Sequence, residues 1–168
     1  MQAEVINRRL AKFIWAAAIF FAWSLIMGIF LSAVDSVREF VHMGWPASMI
    51  SGAHTHIGLM GWMSLALMAA FYYLVPHFSG KSIVWPKLIG WIFWIFVISH
   101  AASQVLIMIA GIAGGNALAA GLKVPQVGSI VATYAVPGGI LCTLTAIAGL
   151  MFIVQILVSL ARGSKTTS

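Results

Sequence analysis

Acidic residues are few in this sequence. Of its 168 residues only 7% are charged, and Asp and Glu together number three against nine Lys and Arg. The three acids, Glu4, Asp35 and Glu39, all lie outside the long apolar runs. A carboxylate pair for acid–base chemistry therefore cannot form inside an apolar run. A small proton-coupled transporter is also disfavoured, because such proteins use intramembrane acids.

Cysteine is scarcer still, with Cys142 as the only one. A single thiol excludes an internal disulfide and a cysteine-based metal cluster. No phosphate-binding loop and no nucleophile with a nearby base can be assembled either. The net charge of +6 does not indicate nucleic acid, because the basic residues stand scattered at the ends of apolar runs, where membrane topology explains them better.

Apolar residues dominate what remains. They make up 62% of the chain, and the mean hydropathy is +1.04. Soluble proteins carry roughly a quarter charged residues, so this composition predicts an integral membrane protein. About 20 apolar residues are enough for a helix to cross a bilayer. The sequence therefore predicts an all-α, four-transmembrane-helix bundle that forms a single membrane domain over residues 1–168, with spans at about 13–33, 48–74, 84–112 and 127–160.

Several boundaries follow from local patterns. A helix over residues 34–43 would have one apolar face and one charged face. This pattern predicts a short helix lying in the membrane interface. Pro76 predicts the end of the second span, and the glycines at 111, 114 and 115 predict the end of the third. Pro137 predicts a kink in the fourth span. The first span lacks a small-residue cleavage site and is interpreted as a retained anchor.

The basic residues predict the orientation. With four spans, seven of them (Arg8, Arg9, Lys12, Lys81, Lys87, Arg162 and Lys165) fall on one side and two (Arg38 and Lys123) on the other. The positive-inside rule then places both termini in the cytoplasm, in a multi-pass protein of the cell inner (cytoplasmic) membrane. His54 and His56 consequently belong to the outer half of the bilayer.

Three histidines are the candidate metal-ligating and cofactor-binding residues: His54, His56 and His100. Counted from the turn between the second and third spans, His100 comes within about 3 to 6 Å of the depth of His54 and His56, at ~1.5 Å per residue. Two imidazoles on opposite faces of an iron porphyrin form the low-spin site used in electron transfer. The pattern therefore predicts a heme b (iron protoporphyrin IX) site. Hydrogen bonding of His100 to a neighbouring helix is the alternative for that residue alone, with Ser103 and Gln104 nearby as further polar contacts.

Helical spacing leaves the second-span ligand open. Residues two apart point about 200° apart, so His54 and His56 cannot bind one iron together. His54 shares its face with the small residues Gly58 and Gly61, which admit a flat macrocycle or another helix. His56 instead lies above methionines, which also pack well on a ring. His42, in the interfacial segment, and His77, in a turn, are predicted to be solvated.

One segment resembles a known family. His54-Thr55-His56, followed by an apolar helix ending at residues 72–76 and then by residues 77–80, is similar to the second helix of the heme-copper oxidase subunit I superfamily, nitric oxide reductases included. In that family a histidine at the outer end of this helix binds low-spin heme b. The resemblance covers about 30 residues, and the four-span layout more loosely.

The differences from the family argue against catalysis by this chain alone. Catalytic members have about twelve spans and further histidines for a second metal and a second heme, which this chain lacks, so it is expected to be an electron-transfer protein rather than a complete oxidase or reductase. Family members resemble three four-helix arcs around a pseudo-threefold axis. That symmetry implies a homo-oligomer, with a trimer as the matching form and with heme ligands supplied within or between chains.

The sequence is compatible with two functions. The first is a heme b membrane electron carrier or respiratory-complex subunit that exchanges electrons with quinol or with an extracytoplasmic cytochrome. The second is a structural or accessory subunit of a respiratory membrane complex without its own heme. The two differ in whether the three histidines bind iron.

Overall fold

The computed structural model describes the backbone of residues 2–162 and the side chains of residues 10–162. The described chain forms helices joined by short turns: α1 (Gln2–Ala33), α2 (Asp35–His42), α3 (Met49–Ser79), α4 (Leu88–Ala119) and α5 (Val124–Arg162). Four of them are long and apolar enough to cross a membrane, beginning in α1 at Leu10. The prediction of an all-α four-span bundle with a short helix after the first span is confirmed.

The short helix α2 is amphipathic, as its sequence predicts. Val41 is its buried residue, while the exposed Arg38 contacts Asp35 through Nη2–Oδ1 at 2.5 Å. Arg38 also donates from Nη1 to the carbonyl of Ser32 at the end of α1. Gly44 then turns the chain with φ of +91°, a left-handed conformation that favours glycine, and the peptide bond before Pro46 is cis.

Helix α3 contains a feature that the sequence does not predict. Its first part (Met49–His56) and last part (Ser64–Ser79) are α-helical, but Ile57–Met63 between them is a π-helix. Hydrogen bonds in a π-helix reach five residues instead of four, so this segment is wider, and such segments often occur at functional sites. The helix also continues five residues beyond the predicted end at Leu74. It ends only at Gly80, whose φ of +62° closes the last turn through a bond from its N–H to the Pro76 carbonyl.

Helix α4 begins later and ends later than predicted. The segment before it is held by α5: Val84 N–H donates to the Ser159 hydroxyl at 3.0 Å, and Gln155 Nε2 donates to the carbonyls of Val84 and Trp85 at 2.7 and 3.0 Å. These bonds replace a first helical turn, so the helix starts at Leu88 rather than near residue 84.

The glycines predicted to end α4 serve close packing instead. A methyl carbon at Gly114 would lie 2.5 Å from both Pro46 and Val131, so a larger residue cannot be placed there without displacing a neighbour. Gly115 approaches Phe40 and Ala47 in the same way. Because these contacts need small residues rather than a helix end, α4 continues to Ala119, and α5 starts at Val124 and runs through Pro137 without interruption.

The core is formed by two packed pairs of helices. Helix α1 packs along α3, and α4 packs along α5 over most of its length, while the first part of α3 also contacts α4. Phe13 on α1 makes aromatic contacts with Tyr72 on α3 and Phe93 on α4, at ring-centroid distances of 5.8 and 4.9 Å. The four spans therefore share one core at the level of Phe13.

Candidate functional site

His100 lies inside the bundle, on α4. Its side chain is 2% exposed and is packed between two aromatic rings, with centroid distances of 5.4 Å to Phe20 on α1 and 5.8 Å to Phe96 one turn earlier on α4. The ring also lies within reach of the main chain of His56, which directly precedes the π-helical segment of α3, but Nε2 makes no hydrogen bond there. Its Nε2 atom is buried and has no hydrogen-bond partner among the described residues.

The polar residues near His100 do not use this nitrogen. Ser103 donates to the main-chain carbonyl of His100 at 2.8 Å, and Gln104 Nε2 donates to the Ser103 hydroxyl at 3.0 Å. Ser99, also on α4, is hydrogen-bonded to Thr145 on α5 at 2.8 Å. Ser103 and Gln104 therefore form a local hydrogen-bond chain, as expected of polar residues in a membrane bundle, and His100 Nε2 is left out of it.

His54 lies closer to the start of α3 and faces α1. A methyl carbon at Gly28 would lie 3.3 Å from His54 Cε1, so the ring fits against α1 only because residue 28 has no side chain. Its Nδ1 atom is buried and, like His100 Nε2, has no hydrogen-bond partner in the described part of the chain. Two ring nitrogens on two different spans are thus buried and unpartnered.

His56 is exposed and has a defined ring orientation. Its Nδ1 is 2.9 Å from the carbonyl oxygen of Gly52, one turn earlier on α3. A backbone carbonyl only accepts, so Nδ1 carries the proton and Nε2 carries the lone pair. Histidines that bind metals commonly have this arrangement, because the second hydrogen bond fixes the ring and its tautomer.

The structure places His100 deeper in the bundle than predicted relative to His54. His100 and Gly61 both contact Phe20, whereas His54 contacts Gly28. Those two α1 residues are eight positions apart, about 12 Å at ~1.5 Å per residue, against a predicted difference of about 6 Å for His54. The reason is the helix ends: α3 ends five residues after Leu74 and α4 starts four residues after Val84. Within one chain, His54 and His100 therefore lie at different depths in the bundle.

The small-residue face of α3 is occupied by α1. A methyl carbon at Gly58 would lie 3.1 Å from the Ser24 hydroxyl oxygen, and one at Gly61 would lie 2.8 Å from the Phe20 ring. These small residues could admit a flat macrocycle or another helix. In the described structure, the helix α1 lies against them. Phe20 is the residue that the sequence did not single out, because it stands in a uniformly apolar span where nothing distinguishes it.

The remaining histidines are exposed. His42 ends α2, and His77 lies near the end of α3 with its ring stacked on Tyr73 at 5.6 Å. Within the described residues, no three or more His, Cys, Asp or Glu side chains come together in a way that could hold a bare metal ion.

Comparison with known proteins does not narrow the assignment. No protein-family model matches the sequence, and no solved structure matches this fold. Fold and composition define the chain as a multi-pass, all-α membrane protein whose outer surface contacts lipid.

Proposed function

We propose that this chain binds heme b in the inner membrane and carries electrons, without reducing oxygen or nitric oxide itself. The observation that supports this most is His100 Nε2, a buried ring nitrogen without a hydrogen-bond partner among the described residues of an apolar span. An ionisable side chain in such a place usually has a functional partner. Neutral imidazole is a common ligand of heme iron, and the resemblance of residues 54–80 to an oxidase helix supports the same group.

His56 is our choice for the second ligand. Its Nδ1–H donates to Gly52, which leaves Nε2 free to bind iron, and its main chain lies next to the His100 ring. His54 has neither feature, since its ring lies against Gly28 at a different level. When bound, the heme would supply one-electron exchange at its iron. The chain would hold the iron by its imidazoles and surround it with apolar side chains, which tune its potential.

A macrocycle bound beside His100 would have to displace the Phe20 ring. Its ring lies between Gly61 and His100, in contact with the small-residue face and stacked on Trp23 at 6.0 Å. Under this proposal, the Phe20 side chain turns away from His100 when heme binds. The donor chemistry of the site fits the group, and this side chain is the obstacle to it.

A visible spectrum tests the proposal. Protein expressed with an adequate heme supply and purified in detergent is expected to be coloured and, after reduction with dithionite, to show the sharp alpha and beta bands of six-coordinate low-spin heme b. The ratio of heme to chain is measured by extraction and should stay constant through size-exclusion chromatography. A protein that is helical by circular dichroism and yet colourless would exclude the proposal.

The second candidate is an accessory subunit of a respiratory membrane complex without its own heme. It is favoured by the packing of Ser24 and Phe20 on the glycine face, since a bundle that is already filled needs no cofactor. In this case the three histidines would only contribute to helix packing.

Replacing Phe20 with alanine separates the two candidates. If His100 binds heme, the variant removes the obstacle and is expected to take up added heme faster than wild type, by about tenfold if the ring must otherwise leave its packed position at a cost of ~1.4 kcal/mol. Phe21→Ala, which removes the neighbouring exposed ring, is the control and should leave the rate unchanged. If Phe20→Ala lowers thermal stability but binds no heme, the accessory function is supported.

The orientation and partners are part of the proposal. We place both termini in the cytoplasm because of the basic residues at that end, so that His54 and His56 lie in the outer half. Quinol or an extracytoplasmic cytochrome is then the expected redox partner. Large apolar side chains on α1, such as Trp15 and Ile19, are exposed and could face lipid or further copies of the chain, which is compatible with a homo-oligomer or trimer.

A further inference from the structure

A groove of about 490 Å³ lies between α1 and α4, at the end of the bundle opposite to His54. Its floor consists of buried apolar side chains, with Phe13, Ile89 and Phe93 all nearly inaccessible to solvent. Its rim consists of two lysines and two tryptophans: Lys12, Lys87, Trp91 and Trp94. The groove is thus apolar at the bottom and positively charged at the edge.

The two lysines lie where the membrane boundary is expected. Lys12 is two residues inside the apolar stretch that begins at Leu10, and Lys87 immediately precedes the first residue of α4. Trp91 and Trp94 are 67% and 52% exposed and lie about one and two helical turns after Lys87. Tryptophan is enriched at the level of lipid headgroups, so this rim is at headgroup depth.

Neither lysine is neutralised by an acid with a described side chain. Asp35 and Glu39, the acids whose side chains are described, lie beyond the opposite end of α1, and Asp35 contacts Arg38. Glu4 precedes Lys12 by eight residues on α1, about 12 Å of helix rise. The Lys12 ammonium lies 5.9 Å from the centre of the Trp94 ring, which orients it over the groove.

Lys81, in contrast, is a lysine whose ammonium group is used for hydrogen bonding within the chain. Its Nζ donates to the carbonyl of Leu160 at 2.6 Å and so completes the end of α5. No comparable bond to a carbonyl is seen for Lys12 or Lys87 in the described part of the chain. Their charges are therefore available to a ligand from outside the protein.

We propose that this groove binds the headgroup of an anionic phospholipid. The phosphate lies between the ammonium groups of Lys12 and Lys87, and the glycerol and first acyl carbons cover Trp91, Trp94 and the apolar floor. A soluble anion would use only the two lysines, whereas a phospholipid also uses the tryptophans and the floor. Basic pockets between membrane helices are typical sites for anionic headgroups.

Tryptophan quenching by brominated lipid tests the site. Full-length protein is reconstituted into phosphatidylcholine vesicles that contain a low fraction of brominated lipid, either anionic phosphatidylglycerol or neutral phosphatidylcholine. Wild type is expected to be quenched more strongly by the anionic lipid. In Lys12→Gln/Lys87→Gln the preference should fall by roughly 25-fold, since each of the two lysines near an anionic surface accounts for about fivefold.

Two variants and one competitor control the result. Lys12→Arg/Lys87→Arg keeps the charge and should keep the preference. Lys123→Gln removes a lysine from the other end of the bundle and should leave the preference unchanged. Equal quenching of wild type by both lipids, or an unchanged preference in the double Gln variant, would overturn the proposal. Displacement of the brominated anionic lipid by millimolar inorganic phosphate would assign the groove to a soluble anion instead.

Discussion

Replacing His100 with alanine is expected to abolish heme binding altogether. The side chain is buried at the centre of the contacts between α1, α3 and α4, and its Nε2 has no other partner in the described structure. Its removal leaves no imidazole at this level of α4, and the neighbouring polar side chains are already used, because Ser103 donates to the main-chain carbonyl of residue 100 and Gln104 donates to Ser103. The measurement is the reduced visible spectrum, with heme content determined per chain.

The other histidines make this result specific. His56→Ala is expected to keep some heme but to convert the sharp low-spin bands to a broad high-spin spectrum, because one of two axial ligands is lost. His54→Ala and the exposed His77→Ala are expected to leave the spectrum as in wild type. A His100→Ala protein with unchanged bands would refute the assigned ligand. Loss of the low-spin bands in His54→Ala and not in His56→Ala would move the second ligand to His54.

The second large effect is expected at Gln155, on α5. This buried side chain accepts a hydrogen bond from the Tyr72 hydroxyl at 2.8 Å and donates to the carbonyls of Val84 and Trp85. Gln155→Leu leaves three polar groups without this partner. At about 0.6 to 2 kcal/mol for each hydrogen bond between membrane helices, we expect a loss of about 2 to 6 kcal/mol in the free energy of unfolding.

Equilibrium unfolding in mixed micelles measures this loss, and two variants control it. Tyr72→Phe removes one of the three bonds and should cost about a third as much. Gln126→Leu replaces an exposed glutamine whose Oε1 accepts from the Lys123 N–H, and should be nearly neutral. A Gln155→Leu protein as stable as wild type would show that the segment between α3 and α4 is held by its other contacts, such as Val84 with Ser159.

Tyr72 and Tyr73 show where sequence reasoning stops in this protein. Both stand near the predicted end of the second span, where tyrosine typically anchors a helix at the membrane interface, so the sequence predicts that role for both. Tyr73 is exposed, in agreement with that expectation, whereas Tyr72 is fully buried and bonded to Gln155. Nothing in the local pattern separates them, because the partner of Tyr72 is 83 residues away.

The histidines show the same limit. Their residue type and their apolar surroundings were enough to select His54, His56 and His100 as site candidates. Their relative depth was not, since it depends on where α3 ends and α4 begins. Those ends are set by Gly80, by the hydrogen bond that Gln155 donates to Val84, and by the one that Ser159 accepts from Val84. The π-helical segment that directly follows His56 also has no signature in the sequence.

The sequence alone determined that this is a four-span helical membrane protein, because helix length and hydrophobicity must match the thickness of the bilayer. It also determined which residues are chemically unusual within the spans. Only the tertiary structure decided which face of each span is inside, which glycines receive a neighbouring helix, and which ring nitrogens lack a partner. The physical reason is that lipid and protein core are equally apolar, so a membrane helix has no polar face that marks its buried side.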